Sequence, residues 1–341
     1  MNTKLLYQLL SIESESHDSS EMESFILRYA KRRKWTVDVD RLGNIYLTKG
    51  QADVCPCVVA HMDTVHRITG EPITPVTIDG KVTGMHASTM SQTGCGGDDK
   101  CGIYAALECM SKLPACKAVF FVDEEVGCLG SSDADMGFFT TNCAFVLQAD
   151  RRGSSDFVTA IGGIPLASAE WLKAITPLLA AHGMTPCSGA MTDVEALRDA
   201  GVGICCANMS AGYHNPHQDG EYIVLSELDN VTKLMLAICR QHGGQRWTYT
   251  PPPKKAYVSA WSHREITVSG WHRRSNGTWA KGEAPVAPVR TGRPAGMPRT
   301  VWRDLREEAA YREARQQQLA EAWPMEPTDD GWPSYRPDSE L

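Results

Sequence analysis

Between about residue 20 and residue 245 the chain alternates between two rhythms. Short apolar runs at 44–48 (NIYLT), 56–61, 117–123 (KAVFFVD), 143–149 (CAFVLQA) and 202–207 (VGICCA) predict strands. Stretches with apolar positions every three to four residues, at 20–34, 101–112, 167–182, 190–200 and 225–241, predict helices. The opening MNTKLLYQLLSIESESHDSS reads as an amphipathic helix running into a polar loop. Strands alternating with helices predict an α/β fold, a three-layer sandwich whose mixed, mostly parallel sheet carries helices on both faces. In such sheets chemistry gathers beyond the carboxyl ends of the strands. His61, Glu124, Glu125 and Asp150 all fall at or just past such ends.

The rhythm stops at GGQRWTYTPPPKK, whose glycine pair and proline run are linker signals. The reading is a core domain at 1–243 and an extension at 244–341. Residues 246–341 hold 15 Lys and Arg against 12 Asp and Glu, a balance of +3, while residues 1–245 stand at −10. Seven of the nine tryptophans and 11 of the 19 prolines also lie in the extension, so the two parts differ in kind. Within it only 301–322 has a helical pattern, with opposite charges spaced to pair along the helix. The rest reads as mostly irregular, apart from a short hairpin around 256–280. Arg and Trp interleaved in SGWHRRSNGTWAKG suit single-stranded nucleic acid, but +3 over such a length argues against it. A weakly structured appendage is the favoured reading, and a docking segment for another protein stands between the two.

Composition narrows the setting. No apolar run approaches the roughly 18 residues of a membrane span, and the N-terminal stretch lacks the features of a secretory signal. Of the twelve cysteines, Cys57, Cys109, Cys143, Cys205, Cys206 and Cys239 sit inside apolar runs, where a thiol acts as a small hydrophobe. There is no CxxC pair, and the CxC of Cys55 and Cys57 is a weak candidate for a soft metal. A reducing cytoplasm is the expectation.

Against this background, VVAHMDTVH at 58–66 stands out: an apolar strand finishes on His61 and Asp63. Residues two apart on a strand face the same side, and a carboxylate beside a histidine orients the ring for a metal. GGDDKCGIYAALECM at 96–110 places two aspartates between glycines at a helix start, as helix caps or as a carboxylate bridging two cations. FFVDEEVGCLGS at 120–131 ends a strand on three acids, which repel one another unless cations or protons relieve them. Asp150 follows a further strand in VLQADRRGSSD, and NPHQDGEYI supplies His217. Together these give His, Asp, Glu, Asp and His, a set suited to two borderline ions such as zinc.

In order and spacing these motifs resemble the co-catalytic zinc metallopeptidases, a family that includes peptidase T, carboxypeptidase G and the zinc aminopeptidases. The likeness is closest to the peptidase T type and runs from about residue 3 to 241. It takes in LLYQLLSIESES, DRLGNIYLTKG, HMDTV, GGDDKCG, DEEVG, ADRRGSSD, TDVEAL and NPHQDGEYI. The resemblance implies a zinc-exopeptidase fold and two divalent ions per chain, zinc foremost. It assigns His61 and Asp150 to one metal, Glu125 and His217 to the other, and Asp98 to the bridge between them. It makes Asp63 the residue that orients His61, and Glu124 the general base. His217 is preferred to His214 because Asn215, His217 and Glu221 match the family's N-x-H-x-x-x-E. His214 is then a neighbour lining the pocket, and His66 and His86 are loop histidines.

The family's peptidase T branch inserts a lid or dimerisation domain between its last Asp and His ligands. Here only 151–216 intervene, and core elements account for them. The resemblance therefore implies an exopeptidase for short peptides without a lid. A deacylase of N-acyl amino acids would need the same ligands, and an inactive binding protein would have lost some of them.

Overall fold

The computed structural model describes residues 1–71 and 73–252, with short strands at 271–273, 279–281, 326–327 and 333–334. Helices α1 (Thr3–Leu10) and α2 (Ser20–Arg32) open the chain, before strands β1 (Thr36–Val39), β2 (Ile45–Lys49) and β3 (Cys55–His61). Next come β4 (Ile73–Ile78), β5 (Lys81–His86), β6 (Gln92–Thr93), α3 (Gly97–Lys112) and β7 (Cys116–Phe121). They are followed by α4 (Leu129–Ser132), α5 (Met136–Thr140), β8 (Cys143–Gln148), β9 (Asp156–Ile161) and β10 (Ile164–Pro165). The core closes with α6 (Ala169–Ala181), β11 (Thr185–Gly189), α7 (Asp193–Asp199), β12 (Cys206–Met209), β13 (Tyr213–His214), β14 (Tyr222–Val224) and α8 (Leu225–His242).

The main sheet runs β1-β2-β7-β3-β8-β12-β9-β10, with β11 paired on β9. Its centre, β7-β3-β8-β12, is parallel, and both flanks turn antiparallel. Every residue of β3, β7 and β8 is buried, which is why these strands read as unbroken apolar runs. The pleat sends alternate residues to opposite faces. Val58 and Ala60 of β3, with Ala118 and Phe120 of β7, join the core shared with α1, α2, α3, α6 and α8. Cys57 and Val59, with Val119 and Phe121, join the other core, where Phe139 of α5 and Val194 and Leu197 of α7 pack. Three layers result, as the pattern predicts.

Helix α3 is buried on nearly all sides, since it is enclosed by β3, β7, α1 and α8. Residues 151–216 become β9, β10, α6, β11, α7, β12 and β13, which leaves no stretch for an inserted domain. The segment after α8 stays on the core: Trp247 donates its backbone N–H to the Ala144 carbonyl at 2.9 Å, and Tyr249 donates to Gly203 at 3.2 Å.

The last predicted strand sits later than expected, at 206–209 rather than 202–207. Gly201 and Gly203 both have positive φ, +85° and +71°, so Val202 and Ile204 are buried ahead of the strand, where Ile204 forms only an isolated bridge with Thr248. A second, antiparallel sheet, β13-β14-β5-β4 with β6 on β5, was not expected at all. Its strands are short and part-exposed, as in the pattern of β4, so they carry little apolar periodicity. In the second compact unit, Pro252–Glu321, Trp271–Arg273 pairs antiparallel with Trp279–Lys281, close to the range expected for a hairpin. The helix expected at 301–322 lies outside the described residues.

Candidate metal centre

Because β7, β3 and β8 are parallel neighbours, their carboxyl ends open on one edge of the sheet. There β3 delivers His61, the turn after β7 delivers Glu124 and Glu125, and the turn after β8 delivers Asp150. The second sheet supplies the rest. It feeds the turn from β6 into α3, which carries Asp98, and the β13–β14 loop, which carries His217.

Two groups of donors converge. His61, Asp98 and Asp150 form one, and Asp98, Glu125 and His217 the other; in each the donor atoms lie within 4.8 Å of one another. Asp98 divides its oxygens, with Oδ1 at 3.3 Å from His61 Nε2 and Oδ2 at 3.4 Å from His217 Nε2. His61 Nε2 also lies 3.6 Å from Asp150 Oδ1, and His217 Nε2 lies 3.1 Å from Glu125 Oε1. His61 Nε2 and Glu125 Oε1 are buried without a hydrogen-bond partner. Such orphaned polar atoms are costly unless something else satisfies them. Two histidines and three carboxylates, arranged as two sets sharing one residue, fit a pair of borderline divalent ions.

Electrostatics point the same way. Burial pushes the Glu124 carboxyl up to about 9, and Asp150 and Asp193 add to the push against the pull of His61. Burial, then Asp98, raises Asp150 to about 7, and burial raises Glu125 to about 7. Asp98 runs the other way: burial alone would raise it, but His217 and His61 hold it below the usual carboxylate range. Hydrogen bonding to Asp98 lifts His217 to about 9. For His61, burial opposes the proton, yet Asp150, Asp63 and Asp98 raise it overall. The pocket gathers negative charge in a poorly solvated place, which bound cations or protons would relieve.

Asp63 is buried and fixed from several sides. It accepts from Ser16 Oγ at 2.7 Å, from the Glu124 N–H at 3.0 Å and from the Glu125 N–H at 3.3 Å. His61 Nδ1 lies 3.0 Å from the Asp63 carbonyl and 3.4 Å from its carboxylate, so the backbone is the nearer orienting group. Glu124 Oε2 stands 3.9 Å from His61 Nε2, beside the first donor group.

The second aspartate of the GGDDK turn has a different task. Asp99 accepts from the His61 and Gly102 N–H groups, at 3.3 and 3.0 Å. A Cβ on residue 102 would fall 2.3 Å from Asp99 Oδ1, so glycine is required there. The first acid of DEE is likewise occupied, since Asp123 accepts from the His17 N–H at 2.7 Å. His214 turns away from the donors: it contacts Glu227 at 2.7 Å and stacks on Tyr222, so it does not line the site as expected. His66 lies in a loop, whereas His86 closes β5. Cys55 and Cys57 are buried in β3, and no donor group of the described residues includes them.

The supporting contacts are the part that sequence reading missed. Glu221, fully buried, accepts from the N–H groups of Gly96 at 2.7 Å and Asp98 at 3.1 Å, so it shapes the Asp98 turn. Gln148 donates to Asp150 at 3.2 Å and to Asp193 at 2.9 Å, while Thr192 donates to Asp150 at 3.1 Å. Asn208 accepts the Asp150 N–H and donates to its carbonyl. A glutamine inside the apolar run VLQAD and an asparagine inside CANM were the available signals.

No family model matches the chain, and no curated protein matches it. Solved structures do. The aminopeptidase PepT of Bacillus cereus superposes with a TM-score of 0.56 at 17% identity, covering 70% of this chain and 96% of that one. A tripeptidase of Staphylococcus aureus gives 0.58 at 15% identity, over 71% and 98%. A TET aminopeptidase from a marine-sediment Thaumarchaeota archaeon gives 0.56 at 12%, over 70% and 96%. The chain has the fold of these peptidases, the fold that the motif resemblance implies.

Proposed function

We propose that the chain is a metal-dependent hydrolase that cleaves an amide bond of short peptides, as an exopeptidase of the aminopeptidase or tripeptidase kind. The observation that carries this reading is Asp98, whose two oxygens face two separate donor groups, with Glu124 near His61 of the first. His61, Asp98 and Asp150 would hold one divalent ion, and Asp98, Glu125 and His217 the other, with zinc the ion best matched to the set. Bound there, such a pair supplies Lewis-acid polarisation of a carbonyl and an acidified water. Glu124 supplies the proton traffic: its carboxylate takes a proton from the attacking water and returns it to the leaving nitrogen. The products are a free amine and a carboxylate. Asp63 and the Asp63 carbonyl keep the His61 ring aimed through Nδ1, which leaves Nε2 for coordination. Twelve unpaired cysteines, eleven of them buried, support a reducing, cytoplasmic setting.

The test is elemental analysis of purified protein together with a panel of di- and tripeptides and N-acyl amino acids. Two equivalents of metal and metal-dependent peptide hydrolysis are expected. Turnover confined to N-acyl amino acids would make the chain a deacylase, and less than one equivalent after reconstitution would sink the metal reading.

A further inference from the structure

Helix α2 ends in RYAKRRK, so Arg28, Lys31, Arg32, Arg33 and Lys34 are exposed together, and from Arg28 to the end of β1 the only acid is Asp38. A helix C-terminus favours cations, which accounts for Lys31 and Arg32 in the last turn. It does not account for Lys34 beyond the helix or for Arg28 before that turn. Arg28, Arg32 and Lys34 form no ion pair with a described residue. Arg33 lays its guanidinium over the Tyr29 ring, 3.5 Å from the centroid, which holds its fork in place.

Next in the chain, β1 is an open edge of the main sheet. Among the described residues it pairs with β2 alone, so its outer side leaves backbone groups without a strand partner. Register sets both features away from the metal centre. Thr36 pairs with Thr48 and Thr48 with Lys117, the second residue of β7, so β1 begins at the amino ends of the parallel strands. The tail leaves the core at that same edge: Trp247 bonds Ala144, the second residue of β8, and Cys205, just ahead of β12. From β8 through β3, β7 and β2 to β1, four strand spacings make roughly 19 Å. Residues 253–325 supply more than enough chain to return across it.

The tail itself is polarised. Residues 246–325 hold 14 Lys and Arg against 7 Asp and Glu, whereas 326–341 hold Arg336 alone against Glu326, Asp329, Asp330, Asp338 and Glu340. The final stretch belongs to the same compact unit as the core, and Pro333–Ser334 lies beside β1. We propose that the acidic stretch 326–340 docks on the core of its own chain, beside β1 and with its carboxylates on the basic end of α2. Arginine forks suit carboxylates, and a tether raises the local concentration of the stretch to the millimolar range. Pro327, Pro333 and Pro337 carry no N–H, which suits a cover that ends the sheet rather than extends it. Nucleic acid is the poorer occupant, since residues 1–245 stand at −10 and repel a polyanion. Docking there leaves the metal centre open and does not depend on the peptidase reading.

The experiment is zero-length carbodiimide coupling of the intact chain, which joins a lysine to a carboxylate only where the two meet. Lys112 with Glu108, at 2.6 Å, and Lys233 with Asp229, at 2.7 Å, are internal controls that should couple in every sample. Mass spectrometry of mixed light and heavy isotope-labelled protein should find Lys31 or Lys34 joined to 326–340 within one chain at about 0.05 M salt, and that product should fade at about 0.5 M. Arg32→Glu with Arg33→Glu should cut its yield about fivefold or more, the scale of surface ion pairs. Adding Asp329→Lys and Asp330→Lys should restore coupling between the same two segments. Coupled controls without any product from Lys31 or Lys34 to 326–340 would overturn the docking, as would a yield indifferent to the double reversal. Products found only between light and heavy chains would assign the edge to a second copy instead. No coupling, together with Arg32-dependent binding of a single-stranded oligonucleotide, would hand the basic patch to nucleic acid.

Discussion

Neighbouring residues in this site have separable work, and that gives the sharpest predictions. Glu124 and Glu125 are adjacent, yet Glu125 Oε1 faces His217 at 3.1 Å while Glu124 Oε2 faces His61 at 3.9 Å. Glu124→Gln keeps the volume and loses the proton acceptor. Turnover should fall by about 10² to 10⁴ with the metal content unchanged. Glu125→Gln should lower both metal content and activity. Equal metal loss in the two variants, with metal in excess, would show that the division of roles is wrong. Asp98→Asn should remove more metal than any other single change, because its two oxygens face different donor groups. These residues were legible from sequence since each is an acid or histidine at the end of an apolar run or in a glycine-flanked turn, where burial without a partner makes no sense. Gln148, Thr192 and Asn208 were not, because a hydrogen-bonding residue in or beside a strand announces no particular partner.

At the scale of elements, the buried and the short behave differently. Strands β3, β7 and β8 and helices α2, α6 and α8 match their patterns within a few residues, because complete burial on both strand faces, or along one helix stripe, leaves a strong apolar signal. Helix α3 begins earlier than the periodicity suggested, at Gly97, since its first turn is spent on Asp98 and Asp99. The antiparallel sheet of β4, β5, β6, β13 and β14 escaped notice because pairing, not hydrophobicity, defines it. Its buried link to the site is Glu221, which takes up the N–H groups of Gly96 and Asp98. Glu221→Ala would strand both donors in a buried turn, at about 1–3 kcal/mol for each unsatisfied group. Expected outcomes are a lower Tm and weaker metal binding, with Glu221→Gln keeping more of both. A variant with wild-type Tm and metal affinity would mean that the turn holds its shape unaided.

For the molecule as a whole, the charge stored at the centre should govern stability once metal is removed. Glu124, raised to about 9, and Glu125 and Asp150, each raised to about 7, sit above their ordinary values chiefly through burial. The folded chain therefore binds more protons than the unfolded one between roughly pH 4 and 9, so its stability falls as pH rises through that window. Raised His61 and His217 contribute in the same sense, since stability gained from their protonated forms is lost as pH climbs past the unfolded value. The depressed Asp98 and Asp63 act only below their usual range, outside the window. Lys100, lowered to about 8 by burial, opposes the trend only above that pH. Between pH 5.5 and 8 the metal-free chain should show a steadily falling Tm. Divalent ions bound as proposed should reverse the sign by giving the carboxylates a counter-charge, and one such site at a hundredfold excess over its Kd would add about 2.7 kcal/mol. The rise in Tm on adding zinc should thus be larger at pH 8 than at pH 5.5, and Glu124→Gln should flatten the metal-free slope. A metal-free Tm that is level or climbs across this range would show that the buried carboxylates are not the groups being relieved.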